Sequence, residues 1–378
     1  MTFSPGRYWD ALAREDALRA IYDNDAIRAA ADRQAHFDAA GVDEARYLAW
    51  FVHPDAHVVD LGCGIGRLAR PLAPLCRTLT GVDVSAEMLA RAKAYLAGVD
   101  NVRLLQTDGR SLAGIDAGTV DFLYSALVLI HVDRRSAFHY MNEIRRVLAA
   151  QGLAWLQFHD IESDAGLAKF VEKSTFDDPL EFYTEAELRR LLGAAGLDVV
   201  AVERGVGFLE LVVCRGNAGE WLAATAAQIT IASSAATGAF AGGSVDLASP
   251  AELRLSVHCA GEAPRTVALL AAIVRDGRGP DESGWMRFDG VVPLRRGATT
   301  DISLRYRPEA DANADAAAIS LVIDGAVAAV QRGRVDRTLP PGEGTLHLAL
   351  LPSGCWWRPQ FLTRFAHLAQ SSPVVVRS

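Results

Sequence analysis

At 378 residues, with half of them hydrophobic and 22% charged, the chain is globular rather than disordered and long enough for two domains. A formal net charge of −8 argues against the broad positive field that non-specific nucleic-acid binding needs, so the expected partners include no nucleic acid. Five scattered cysteines form no paired zinc-type spacing, so no metal is expected and a reduced, cytoplasmic setting fits. No apolar run is long enough to span a bilayer, and Met1 to Asp10 lacks the layout of a signal peptide, so no membrane association is expected either. Heavy use of alanine and arginine fits a GC-rich, bacterial source.

In chain order, residues 8–50 read as helical, with Tyr8, Trp9, Leu12, Leu18, Ile21 and Ile27 recurring largely at three- and four-residue spacings. Residues 1–50 are expected to form a helical lid. From 51 to 216 the texture alternates between strand and helix, which predicts a doubly wound, seven-stranded, mostly parallel sheet. The strands are read at 57–61, 78–83, 102–106, 120–127, 153–159, 197–203 and 207–214. Helices are read at 66–75, 85–98, 134–150 and from the capping box Thr184-Glu185-Ala186-Glu187, with Ser85 placed to cap the second of these. Residues 217–249, rich in Ala, Ser, Thr and Gly, read as linker with a possible helix. From 250 to 378, short alternating segments separated by turns such as Asp324-Gly325 predict an all-β, sandwich-like domain. Trp356-Trp357 in that domain reads as core packing, with a sugar-stacking surface or an interface anchor as alternatives.

The chemistry concentrates at the ends of the first strands. Asp60-Leu61-Gly62-Cys63-Gly64-Ile65-Gly66 joins strand to helix, and glycines there let the backbone approach a ligand closely. The spacing is GxGxG rather than the pyrophosphate-binding GxGxxG, which counts against a third reading, a nicotinamide-dependent oxidoreductase. Asp83 ends the next strand, where a carboxylate can accept from a ribose diol. Asp108-Gly109 follows the third, where an acid and the next amide can meet an adenine edge.

In that order, these pieces resemble the class I S-adenosylmethionine-dependent methyltransferases. The resemblance runs over residues 45–215 and includes Val58 to Arg67, Leu79 to Leu89, Val120 to Ser125, Glu143 to Gly152 and Phe182 to Leu188. Ala149-Ala150-Gln151-Gly152 stands where many members have Lys-Pro-Gly-Gly, a departure confined to a turn. The resemblance implies that Gly62, Cys63, Gly64 and Gly66 cradle the methionine part of S-adenosylmethionine, with Asp60 holding the loop or the ammonium group. It further implies that Asp83 takes the ribose hydroxyls, Val84 and Met88 flank the adenine, Asp108 and Gly109 meet its edge, and Ser125 offers a carbonyl to the ammonium. Tyr8 and Trp9 either close over the cofactor or pack as ordinary helix aromatics. For a base, His131 after the fourth strand and the pair His159 and Asp160 at the end of the fifth are the candidates.

The expected activity is methyl transfer to an oxygen of a small molecule, natural product or glycan. A peptide acceptor gripped by the β domain is an alternative, since strand addition could hold an extended chain. A non-catalytic cofactor-binding scaffold is another, and the β domain could instead serve homodimerisation.

Overall fold

In a computed structural model, the described residues are 4–22, 27, 29–174, 180–238, 244–246, 250–260, 265–275, 286–295, 297–307, 319–328, 331–335, 342–352 and 369–377. They divide into two compact units, Met1–Trp221 and Leu222–Ser378.

The first unit opens with helices α1 (Pro5–Ile21) and α2 (Arg33–Leu48). The first is broken at Asp16, whose extended backbone lets its carboxylate accept from the Arg19 amide and cap a second short segment. Strands β1 (His57–Leu61), β2 (Thr78–Asp83), β3 (Val102–Gln106) and β4 (Val120–Ser125) then pair in parallel around β1 and β2. The connection after β1 holds one turn of helix, α3 (Ala69–Leu72), and a 3-10 turn at Ala73–Leu75, instead of the continuous helix expected over 66–75. Gly66, at φ +92°, lies outside helical space, and Pro74, the second residue of the 3-10 turn, has no N–H to donate back to residue 70, so the α-helical ladder stops before it.

Helix α4 (Ala86–Tyr95) is capped by Ser85, whose hydroxyl accepts from the Met88 amide at 3.0 Å. Helix α5 (Arg134–Val147) is capped by Asp133 and gives way directly to the long strand β5 (Leu148–Asp160). The helix therefore stops three residues before the expected Ala150, because Leu148 already pairs with Val120 of β4. After α6 (Asp164–Lys173) come β6 (Phe182–Tyr183), α7 (Glu185–Ala194), β7 (Leu197–Gly205) and β8 (Phe208–Arg215). Thr184 caps α7 as its sequence implies, accepting from the Glu187 amide.

The sheet order is β3-β2-β1-β4-β5-β8-β7, with the short β6 added beside β5 and β8 antiparallel to its neighbours. This is the Rossmann-like, doubly wound sheet expected from the sequence. Strand order reverses between β1 and β4, and ligands of such sheets bind at the carboxyl ends beside that reversal. Beneath it lies one apolar core that includes Val59, Leu123, Ile144, Leu156 and Leu211.

The helix α8 (Ala218–Ala226) leads to the second unit, built of two sheets. One joins β9 (Ile229–Gly238), β11 (Ala251–Cys259), β14 (Ala298–Tyr306), β15 (Ile319–Ile323) and β16 (Ala326–Val327). The other joins β10 (Ser244–Asp246), β12 (Arg265–Arg275), β13 (Met286–Leu294), β17 (Gln331–Val335), β18 (Gly342–Pro352) and β19 (Ala369–Arg377). They stack as a sandwich: a side chain at Gly290 of β13 would strike Leu321 of β15, and one at Gly333 of β17 would press on Ile319. Part of the stretch read as linker is β9, paired along its length with β11. Its Ala, Ser and Thr residues give a weak apolar alternation, which is why it reads as linker. The dipeptide Trp356-Trp357 lies outside the described residues.

Candidate active site

A cavity of about 950 Å³ opens at the carboxyl ends of β1, β2, β4 and β5, under α1. Its walls include Gly62 and Gly64 from the loop after β1, Asp83 and Val84 after β2, and Gln157 and His159 near the end of β5. The volume is typical of a small-molecule site.

The glycine loop takes its shape from positive φ at Gly62 (+80°) and Gly64 (+53°). At Gly62 a Cβ would lie 2.3 Å from the Val128 side chain, and at Gly64 it would lie 2.7 Å from Ile21 of α1, so both positions require glycine on two counts. Asp83 pins this loop. One carboxylate oxygen accepts from the Gly64 amide and the other from the Ser85 amide, each at 2.8 Å. Burial pushes its pKa up, those amides oppose the shift, and Asp10 adds repulsion. Each oxygen keeps lone-pair capacity for a ligand on the cavity side. Met88 and Val84 lie beside Asp83 on the wall, and Gly109 and Thr107 follow from the loop after β3.

Asp10 ties α1 over this edge, accepting from the Ser85 hydroxyl at 2.6 Å and the Glu87 amide at 3.1 Å. Tyr8 and Trp9 both line the cavity, and Trp9 meets His131 edge-on with ring centroids 5.0 Å apart. His131 sits in the 3-10 turn Leu129–His131. Behind the loop, the buried Arg67 pairs with Glu44 at 2.7 Å and lies under the Tyr22 ring at 4.8 Å.

His159 is fixed on both faces, stacked on Phe182 at 4.7 Å and on Phe208 at 4.8 Å. These are its register partners across β6 and β8. Burial drops its pKa to about 4, a hydrogen bond to the Gly207 backbone opposes this, and the Lys169 ammonium adds to it, so the ring is neutral at pH 7.

Of the residues singled out from the sequence, the wall thus includes Tyr8, Trp9, Gly62, Gly64, Asp83, Val84, Met88, Gly109, His131 and His159. Six others are not part of it. Asp60 is buried in β1, and burial raises its pKa to about 7, with the Tyr124 hydroxyl opposing. The Cys63 thiol is buried against the Gly64 carbonyl, and burial pushes its pKa up. Gly66 packs against Leu96, and Ser125 donates its hydroxyl to the Leu61 carbonyl. Asp108 closes its own turn, one oxygen accepting from the Arg110 amide, the Ser111 amide and the Ser111 hydroxyl. Asp160 is fully buried and turned away to Arg204 and the Glu162 amide. The pairing of His159 with Asp160 in one acid–base unit is therefore not what the geometry brings together.

Sequence reasoning passed over several wall residues. Leu127 holds φ +58°, its amide donating to the Gln157 side chain at 3.1 Å, and Gln157 in turn donates to Glu210 at 3.2 Å. Asp10 and Lys169 had no motif to mark them; only the fold brings them to this edge.

Residues 58–152 match the family described as "Methyltransferase domain". Residues 58–152 are thus a methyltransferase domain. Among curated relatives, N-terminal Xaa-Pro-Lys N-methyltransferase 1 of Mus musculus is 29% identical over 148 residues, covering 39% of this chain and 63% of that protein. The 23S rRNA (uracil(1939)-C(5))-methyltransferase RlmD of Aeromonas hydrophila is 36% identical over 101 residues, covering 26% of this chain and 22% of that protein. The chain spans between about a fifth and just under two thirds of these relatives. Among solved structures, magnesium protoporphyrin IX methyltransferase (ChlM) from Synechocystis PCC 6803 with bound SAH aligns at TM-score 0.43 and 22% identity, covering 56% of this chain and 98% of that one. Because the domain's relatives carry names of a peptide and of an rRNA methyltransferase, net charge alone excludes neither acceptor class. No helix among the described residues is long and apolar enough to cross a membrane, and no group of metal-ligating side chains stands among them.

Proposed function

We propose that the protein is an S-adenosylmethionine-dependent methyltransferase acting on an oxygen of a small molecule, natural product or glycan. The observation that carries this reading is Asp83. Its carboxylate lies at the cavity wall, joined to the Gly64 amide, inside a methyltransferase domain. The residues fit the cofactor. A carboxylate suits the ribose hydroxyls, Met88 and Val84 offer apolar contacts for a flat base, and Gly62 and Gly64 bring loop backbone without side chains to the cavity wall. Asp83 also puts a negative charge on the wall that suits its cationic part, whereas Asp16 and Glu44 there are paired with Arg33 and Arg67.

Bound there, the cofactor supplies an already activated methyl group, so the chain's work is chiefly positioning. Trp9 and His131 form one side of the remaining volume, and Gln157 and His159 another. On this reading His131, on the cavity wall, takes the proton of a hydroxyl acceptor. His159, with its pKa lowered to about 4, is a weak base and is suited to hydrogen bonding with the acceptor.

A peptide α-amine is the second reading, since a relative named for that substrate matches this domain. The lysines on the cavity wall, Lys169 and Lys173, disfavour an acceptor that enters as a cation. The test is incubation of the full chain with methyl-labelled S-adenosylmethionine and, separately, low-molecular-weight and protein fractions. Label in the small-molecule fraction, abolished in Asp83→Ala, is the expected result. Label only in protein would favour the second reading, and none in either would leave a binding scaffold.

A further inference from the structure

The cavity carries lysines that cofactor binding does not use. Toward the glycine loop the wall holds Asp83, with Asp16 and Glu44 paired to Arg33 and Arg67, and Arg19. Across from them, α6 presents Ala165, Lys169 and Lys173, each four residues from the last and therefore on one helical face. That face is fixed in place. A side chain at Gly166 would overlap the Asp160 carbonyl at 1.8 Å, and Gly207 at the tip of the β7–β8 hairpin packs beside Ala165.

The carboxylates around this end have other work. Glu181 pairs with Arg134, Asp133 caps α5, Asp160 pairs with Arg204, and Glu210 accepts from Gln157. Lys169 meets Glu172 at 3.7 Å, with the glutamate side chain 59% exposed, a pairing worth under about 1 kcal/mol. Near Lys169 the His159 ring is neutral and clamped between Phe182 and Phe208, so the positive charge at this end is the ammonium's and not the imidazole's.

We propose that the methyl acceptor is a small organic acid whose carboxylate or phosphoryl group is held by Lys169. The inference rests on the methyltransferase reading above and narrows its acceptor class. An ammonium is a compact point charge that takes either acid group, and in a partly enclosed cavity it discriminates strongly against the neutral analogue.

The test is calorimetry on the full chain saturated with S-adenosylhomocysteine, using benzoate, phenylphosphonate and benzamide as probes of one size. At least one anion is expected to bind tenfold or more tighter than benzamide, and the tighter of the two separates a carboxylate from a phosphoryl source. Lys169→Glu is expected to remove that preference, Lys169→Arg to keep it, and both to bind S-adenosylhomocysteine as the parent does. Equal affinity for anions and benzamide, no binding of any probe, or a preference unchanged in Lys169→Glu would overturn the proposal. Failure of S-adenosylhomocysteine to bind at all would instead overturn the methyltransferase reading.

Discussion

Asp83 and Asp60 are two carboxylates of one loop region with opposite situations. Asp83 reaches the cavity and gains two amide partners, while Asp60 is sealed in the sheet and its pKa rises to about 7 through burial. The consequence for Asp60 follows from linkage. A folded-state value above the unfolded one means that the folded chain keeps a proton the unfolded chain has released, between about pH 4 and 7. Stability from this group therefore falls as pH rises through that window. Asp60→Asn should remove the slope, so that urea unfolding at pH 5 and pH 7.5 shows the variant losing roughly 2 kcal/mol less than the parent. Identical losses in both proteins would contradict a protonated, buried Asp60. The ends of β1, β2 and β3 were legible in the sequence because glycines and acids at fixed strand ends carry a chemical pattern. What Asp108 does with its side chain was not legible. An Asp-Gly pair reads equally as a ligand or as a turn, and here one of its oxygens takes three hydrogen bonds from its own turn.

At the scale of elements, α1 and α6 make the two covers of the cavity, and each is held by a contact of long sequence range. Asp10 of α1 shares the N-terminus of α4 with Ser85, so Asp10→Ala should loosen that cover and raise the Kd for S-adenosylhomocysteine several-fold with little change in Tm. An unchanged Kd would place α1 outside the binding unit. Gly166→Ala is expected to be more damaging, because the methyl would meet the Asp160 carbonyl and α6 would have to shift. A loss of about 2 kcal/mol or more in denaturant unfolding is the expected outcome, and a neutral variant would contradict the tight seat of α6 on β5. Caps at Ser85 and Thr184 were readable because capping chemistry is local. The Ala/Ser/Thr strand β9 and the strand β13, which contains Gly290 and Pro293, were not, since pairing with a neighbour rather than residue preference holds them.

For the whole molecule, the Rossmann-like unit and the β-sandwich were both legible in outline, because parallel and antiparallel sheets carry different hydrophobic periods. The cavity wall is drawn from residues between Pro5 and Phe208, all within the first unit. A chain ending at Gln228, with α8 intact, should therefore bind S-adenosylhomocysteine within about threefold of the full chain, and loss of binding would assign the sandwich a part in the site. The most direct test of the account is calorimetric titration of the full chain with S-adenosylhomocysteine, compared across the parent, Asp83→Ala and Asp108→Ala. Saturable binding by the parent is expected, with at least a 30-fold loss in Asp83→Ala, where two charge-assisted hydrogen bonds and the proposed ribose acceptor disappear together, and a smaller loss in Asp108→Ala. No binding by the parent, or an Asp83→Ala variant that binds as the parent does, would contradict it.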